Sequence, residues 1–309
     1  MKNVLNGGLY PAMITLFDEE GKIDYEATKA LIDFYVKGGV NGIFAVCQSS
    51  EMFFLSEDEK LELGKFVVEN TPADIDVVVS GITGDTMEEM LAEIEMMKGA
   101  GAKSIVLLTN RLAHEDESDA VLWEHIETIL AKFPDTDFGL YECPYPYKRL
   151  LTEEILAKCA KTRRFNFIKD TCCSAKMIEG RIKAINDPDF KLYNANSGTL
   201  LTTVYAGAAG ISGVMANFHP ELYTAMFDAV KAGDGERAEK MQDALAALSV
   251  IENQNYPANA KYYLAVEGLP VKTSAVRNGR PPLTESQRRE IEATNRLWHF
   301  IRAQLGIKA

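Results

Sequence analysis

The sequence predicts an α/β fold, a closed (β/α)8 TIM barrel carrying a C-terminal helical extension, and three observations predict it. Short runs of β-branched and aromatic residues alternate with longer segments of helical period, which is the signature of successive βα units. Eight such runs occur at intervals of roughly 20 to 40 residues, the spacing that βα units require. The chain has 309 residues, more than the about 250 of a typical barrel, so material remains for an appendage. Parallel strands joined by crossovers either close or form an open doubly wound sheet, and the absence of GxGxxG after the first strand favours closure.

In chain order the expected strands are Tyr10–Phe17, Gly42–Cys47, Val77–Gly81, Ser104–Thr109, Phe138–Glu142, Phe165–Lys169, Leu192–Asn194 and Gly210–Val214. Amphipathic helices lie between them. Tyr25–Lys37 places Leu31, Ile32, Tyr35 and Val36 on one face, and Ser56–Glu69 opens with Ser56 followed three residues later by Glu59, a capping box. After Val214, the helical segments Glu221–Lys231, Glu236–Glu252, Ala258–Val266 and Thr284–Leu305 exceed what an eighth barrel helix needs. The expected division is therefore a barrel over residues 1–232 and an extension over residues 233–309, packed as one structural unit, with no linker-like composition between them.

The formal charge of −12 repels phosphate backbones and anionic headgroups, so neither nucleic acid nor a membrane surface is an expected partner. The opening MKNVLNGGLYPAMITLF lacks a leader's basic and apolar regions, and no run reaches the about 18 apolar residues of a membrane span; the expected location is the cytoplasm. Five cysteines are an odd number, and adjacent Cys172 and Cys173 are badly placed for a mutual disulfide, which fits a reducing compartment. The four histidines show no HxxxH spacing and there is no CxxC, so no metal site is expected.

In a barrel of this kind the C-terminal strand ends face the catalytic mouth. Here they carry CQSSEM (Cys47 to Met52), YECPYP (Tyr141 to Pro146), KDTCC (Lys169 to Cys173) and NSGT (Asn196 to Thr199). Lys169 shares a strand face with Phe165 and Phe167, so its amine is partly desolvated. An ordinary lysine is under about 0.1% neutral at pH 7; desolvation lowers its pKa toward a nucleophile able to condense with a ketone. The competing reading is a lysine that snorkels out of the mouth or pairs with Asp170. Tyr141 ends the neighbouring strand and could shuttle a proton at a group held on Lys169, unless it is only an aromatic plug. Ser49, Ser50 and their amides could hold a carboxylate, unless CQSSEM is an ordinary turn and cap.

Together these segments resemble the dihydrodipicolinate synthase and N-acetylneuraminate lyase family of pyruvate-dependent Schiff-base barrels. The likeness runs along nearly the whole chain: PAMITLFDEEGKID (Pro11 to Asp24), CQSSEM at the GTTGE-type loop, YECP at YNxP, FIKD at the Schiff-base lysine, NSGT, GAAGISGVMAN (Gly207 to Asn217) and EGLPVK (Glu267 to Lys272). The resemblance implies that Lys169 forms the imine, Tyr141 is the acid/base phenol, Ser49 with the Ser50 amide binds the pyruvate carboxylate, and Ser212 or Gly213 lines the pocket. It also implies a homotetramer, or another homo-oligomer, with no cofactor beyond the covalent imine on Lys169.

The departures bear on substrate. Gln48 stands where the family's relay threonine is expected, and an amide cannot pass a proton as a hydroxyl does. LTNRLAHE (Leu108 to Glu115) replaces the loop whose tyrosines reach a neighbouring subunit, so the biosynthetic synthase reaction is not expected. Glu142 replaces an asparagine and points either into the mouth or behind the wall; Arg111 either holds a substrate carboxylate or is a solvated loop residue. Cys47, Cys143, Cys172 and Cys173 fall at strand ends, as apolar filler or as a thiolate near Lys169. The expected activity is reversible cleavage of a 4-hydroxy-2-oxo acid, such as a sugar acid, to pyruvate and an aldehyde. The alternatives are an imine-forming 2-oxo acid dehydratase or hydratase, and a non-catalytic 2-oxo acid binding protein of the same fold.

Overall fold

Eight parallel strands run around the molecule: β1 (Gly8–Leu9), β2 (Gly42–Ala45), β3 (Asp76–Val79), β4 (Ser104–Leu108), β5 (Phe138–Tyr141), β6 (Phe165–Asp170), β7 (Lys191–Asn194) and β8 (Gly210–Ile211). A computed structural model of the protein describes residues 3–307. Met1 and Lys2, which begin the segment read for a leader, and Lys308 and Ala309, which end the expected extension, lie outside them. Each strand pairs with its neighbour in sequence, in the order β1-β8-β7-β6-β5-β4-β3-β2. A parallel bridge between Ala12 and Phe44 closes the ring, with Met13 N–H donating to Phe44 O at 2.9 Å and Phe44 N–H to Pro11 O at 3.0 Å.

The first strand departs from expectation. A regular strand covers only Gly8–Leu9; barrel bonding continues to Met13 through Tyr10 N–H to Ile211 O, Ala12 N–H to Gly213 O and the Ala12–Phe44 bridge, and the rest of Tyr10–Phe17 runs on as buried irregular chain. The physical reason is where its polar groups bond: Met13 O accepts from Ser50 Oγ at 2.6 Å, Thr15 Oγ1 donates to Ser50 O at 2.8 Å, and Leu16 O accepts from Asp24 N–H at 2.9 Å. Those partners belong to the loop after β2 and the entry to the first helix, so the second half of the segment ties the mouth together instead of extending the barrel's pairing.

Helices α1 (Tyr25–Lys37), α2 (Glu57–Asn70), α3 (Met87–Lys98), α4 (Thr109–Leu112), α5 (Asp119–Lys132), α6 (Glu153–Thr162), α7 (Ala175–Ile185), α8 (Leu200–Tyr205) and α9 (Pro220–Lys231) follow the strands. The Ser56–Glu59 capping box opens α2, with reciprocal bonds of 3.2 and 2.9 Å. The segment after β4, expected as loop, turns at once into α4. Among the described residues, no helix is long and apolar enough to cross a membrane.

Inside the barrel an aromatic layer forms the floor of the site. Phe167 lies 4.9 Å from Tyr193, 5.5 Å from Phe44 and 5.9 Å from Tyr10 between ring centroids. Gly139 makes room for it, since a Cβ there would stand 3.1 Å from the Phe167 ring and 3.0 Å from Val106.

Beyond α9 come α10 (Gly235–Leu248), α11 (Ala258–Val266) and α12 (Glu285–Gln304). Fully buried Trp298 of α12 packs on His219, at the start of α9, with ring centroids 5.4 Å apart. A buried pair, Lys261 Nζ to Glu51 Oε1 at 2.7 Å, joins α11 to the loop after β2, and Arg277 grips both Glu59 oxygens at 2.8 Å. The extension is therefore fastened to the barrel's mouth by charges.

Candidate active site

Alternation along β5 and β6 decides what enters the cavity. The register pairs Tyr141 with Lys169 and Gly139 with Phe167, so these residues share the inner face. Lys169 is 3% exposed. Its Nζ stands 4.7 Å from the Tyr141 ring centroid and 5.7 Å from that of Phe44, directly above the aromatic floor. Burial holds the Lys169 amine below the usual lysine range, opposed by nearby thiols and by Glu252. Burial also raises the Tyr141 phenol well above its ordinary value. The pair is thus an amine biased toward its neutral form beside a phenol that keeps its proton.

The loop after β2 forms two short 3-10 turns, Gln48–Ser50 and Met52–Phe54, hinged at Glu51 in a left-handed conformation (φ 59°). Such a backbone is costly away from glycine and persists where its surroundings fix it. Glu51 is fixed by Lys261 and by the Arg277 amide, which donates to Glu51 Oε2 at 2.6 Å. The loop delivers Gln48 Oε1 to the Tyr141 hydroxyl at 3.2 Å and to Cys143 Sγ at 3.5 Å. Ser49 faces the cavity, and beside it the Tyr256 hydroxyl accepts from Asn217 Nδ2 at 3.1 Å. Ser50 has turned inward: its hydroxyl donates to Met13 O and its amide to Cys47 O at 3.0 Å, so neither donor is free for a ligand.

These groups line one cavity of about 580 Å³ at the C-terminal end of the barrel, walled by Gln48, Ser49, Tyr141 and Lys169 and, from the extension, Glu252 and Tyr256. That volume suits a small organic acid.

The Dihydrodipicolinate synthetase family matches this chain over residues 5–297. The chain belongs to this family. A relative from Pseudoalteromonas atlantica named 4-hydroxy-tetrahydrodipicolinate synthase is 26% identical over 296 residues, which cover 96% of this chain and 97% of the relative. A prophage protein of the dihydrodipicolinic acid synthase family from E. coli K12, solved in complex with pyruvate, superimposes with a TM-score of 0.84 at 23% identity, covering 98% of this chain and 99% of that one. Proteus mirabilis N-acetylneuraminate lyase superimposes with a TM-score of 0.84 at 17% identity, covering 96% and 100%. These two solved structures share the fold. As a member of the dihydrodipicolinate synthetase family the protein is a lyase-type enzyme.

The chain's departures from the family pattern take defined places. Glu142 lies behind the wall, not in the mouth. It is completely buried, bonded by Arg181 Nη2 at 2.9 Å, the Leu151 amide at 2.8 Å and the Thr171 amide at 2.9 Å. Asp170 pairs with the same guanidinium, so it does not pair with Lys169. Burial and Asp170 push the Glu142 carboxyl up against the pull of Arg181, and the two carboxylates hold Arg181 above the usual arginine range despite its burial. Arg111 is half-buried, in an ion pair with Asp85 and over the Phe53 ring at 5.3 Å, and is not part of the cavity wall.

Ser212 and Gly213 also miss the wall, which on this side is made by Ala195, Asn196 and Val214. The Ser212 amide donates to Asn194 O at 2.9 Å and the Gly213 carbonyl accepts from the Ala12 amide at 3.2 Å, because the barrel's hydrogen bonding continues through them. The thiols do not share one environment. Cys47 and Cys143 are buried, and burial pushes Cys143 up to about 11; Cys172 is turned toward Asp170 and Ser174, its pKa pushed up to about 12. Cys173 alone of the four is exposed, and it lines the cavity.

Sequence reasoning missed Glu252 and Tyr256. Both lie in the extension, more than eighty residues after Lys169, and no local spacing links them to it. The Glu51–Lys261 pair and the Asn217–Tyr256 bond tie this part of the extension to the barrel.

Proposed function

We propose that the protein is a Schiff-base lyase that reversibly cleaves a 4-hydroxy-2-oxo acid, of sugar-acid type, to pyruvate and an aldehyde. The observation that carries the reading is the Lys169 amine, buried at the cavity floor, held below the usual lysine range and 4.7 Å from the Tyr141 ring. The neutral amine adds to the C2 ketone and water leaves, giving an iminium. When C3–C4 breaks, that iminium accepts the electron pair, so the proposal invokes no metal or organic cofactor. Tyr141, whose proton is directed at Gln48, positions its phenol oxygen at the reacting centre. Ser49 is the serine left to meet the substrate carboxylate, since Ser50 is engaged. That the related E. coli K12 protein was solved with pyruvate supports the choice of 2-oxo acid.

Borohydride reduction with pyruvate followed by peptide mapping tests this directly. An adduct on Lys169 is expected; one on another lysine, or none, removes the assignment. The contact between Tyr141 and Gln48 favours a second reading, in which the imine serves dehydration, because the amide ends the relay that a hydroxyl would continue. Incubation with a panel of 4-hydroxy-2-oxo acids separates the two: pyruvate plus aldehyde for cleavage, an unfragmented product one water lighter for dehydration. We also propose a homo-oligomer, the state the family resemblance implies, for which light scattering at a mass above 34.2 kDa is the check.

A further inference from the structure

Gln48 poses a problem that the cavity itself resolves. Cleavage through an iminium moves two protons, one off the 4-hydroxyl and one onto C3 of the enamine that remains. Tyr141 donates to Gln48 Oε1, and a carboxamide oxygen passes nothing onward. A proton carrier other than Tyr141, facing the same space, would make the cycle independent of Gln48.

Two carboxyl groups line the cavity, Glu51 and Glu252. Glu51 is consumed by Lys261 at 2.7 Å and by the Arg277 amide at 2.6 Å. Three other ionisable groups of the wall are committed or unsuited. Lys148 Nζ donates to Thr171 O at 2.9 Å, the Tyr256 hydroxyl is held by Asn217 at 3.1 Å, and Arg280, exposed at the rim, keeps its charge. Glu252 sits in the 3-10 segment Ser249–Asn253, between α10 and α11, and its carboxyl makes no hydrogen bond or ion pair among the described residues. It is near enough to Lys169 for each to alter the other's protonation.

We propose that Glu252, an extension residue, is a second catalytic group of this site, carrying the proton between the substrate's 4-hydroxyl oxygen and C3. The proposal rests on the Schiff-base reading above. In cleavage, the O–H and C3–C4 bonds break together. The proton passes to the Glu252 carboxylate, the C4=O bond of the aldehyde forms, and the C3–C4 electron pair becomes the C2=C3 bond of an enamine as the C=N pair returns to nitrogen. Glu252 then gives the same proton to C3, which restores the iminium, and water releases pyruvate and Lys169. Nothing is oxidised or reduced and the carboxylate is regenerated, so Gln48 need not relay anything. Burial supports this role, since it raises the Glu252 carboxyl above the ordinary glutamate range against the opposing effect of Lys169 and so suits it to hold a proton in transit.

The test needs only pyruvate, because the C3 half of the cycle runs without an aldehyde. In deuterated buffer the wild-type protein should exchange the pyruvate methyl hydrogens, followed by proton NMR, while borohydride traps pyruvate on Lys169. Glu252→Gln should trap pyruvate within about twofold of wild type yet exchange about 100-fold more slowly or worse, the scale of a lost general acid/base. Glu252→Asp should recover at least a tenth of the wild-type rate. Equal exchange in wild type and Glu252→Gln overturns the assignment and leaves the Schiff base standing. Loss of trapping in Glu252→Gln alone also overturns it, since Glu252 would then be arranging Lys169. Absence of trapping in the wild type removes the Schiff base and this role with it.

Discussion

Tyr141 and Glu142 are consecutive, as are Lys169 and Asp170, yet each pair straddles the barrel wall into opposite electrostatic regimes. On the inner face a lone amine and a phenol stand over aromatic rings, with no opposite charge in hydrogen-bonding contact among the described residues, and burial drives both toward their neutral forms. On the outer face an equally buried guanidinium is met by two carboxylates and by the carbonyl of Leu151 at 2.6 Å. Burial is common to the two faces and partners are not. A buried charge persists where it is paired and hydrogen-bonded; where it is not, the group sheds its charge, and in a lysine that yields a nucleophile. One strand pair thus builds reactivity on one side and rigidity on the other.

The largest expected effect breaks the inner face. Lys169→Met should take pyruvate trapping and turnover to background while leaving the thermal midpoint unchanged or higher, because it removes a desolvated amine without unpairing a partner. A stability loss comparable to that of an outer-face variant would show that the two faces do not differ as described. Second is the outer face: Arg181→Met strands Glu142 and Asp170 and should cost about 3–5 kcal/mol in urea unfolding, with turnover per folded molecule down less than tenfold. Third, Tyr141→Phe, which removes the hydroxyl at the reacting centre, should lower turnover by about 10² to 10³ with trapping retained, measured under saturating substrate.

A fourth expectation concerns pH. A lysine whose pKa is lowered loses its proton earlier as pH rises, so the trapping rate at fixed pyruvate should climb and level off below the ordinary lysine value of 10.5. A midpoint at or above that value would contradict an inner face biased toward the neutral amine. The smallest effect sharpens the picture of the rim: iodoacetamide near neutral pH should label Cys173 first and leave Cys143 unmodified, as read by peptide mass mapping, since one thiol is exposed and burial pushes the other up to about 11.

The barrel was legible because period-2 runs such as Phe165–Lys169 and amphipathic stretches such as Tyr25–Lys37 are local properties. The inner-face pair was legible for the same reason, since alternation places Lys169 with Phe167, and the segments at the strand ends then resemble a family. Tyr10–Phe17 misled in its second half, where the hydrophobic pattern is that of a strand while Thr15 bonds across to the loop after β2 and Leu16 to the entry of α1. Ser50 misled in the same way, its hydroxyl drawn inward to Met13 by a turn whose shape Glu51 sets.

By itself the sequence determined the order of elements, the closed parallel barrel and the amine at the end of β6, all of which follow from residue spacing along a few turns or strands. Tertiary structure alone decided that Glu142 and Asp170 belong to Arg181 and not to the cavity, that Ser212 and Gly213 stop short of its wall, and that Glu252 and Tyr256 reach it. Those outcomes depend on pairings between residues apart in the chain, such as Glu142 with Arg181 and Glu51 with Lys261, and such pairing energy leaves no periodic trace in the sequence.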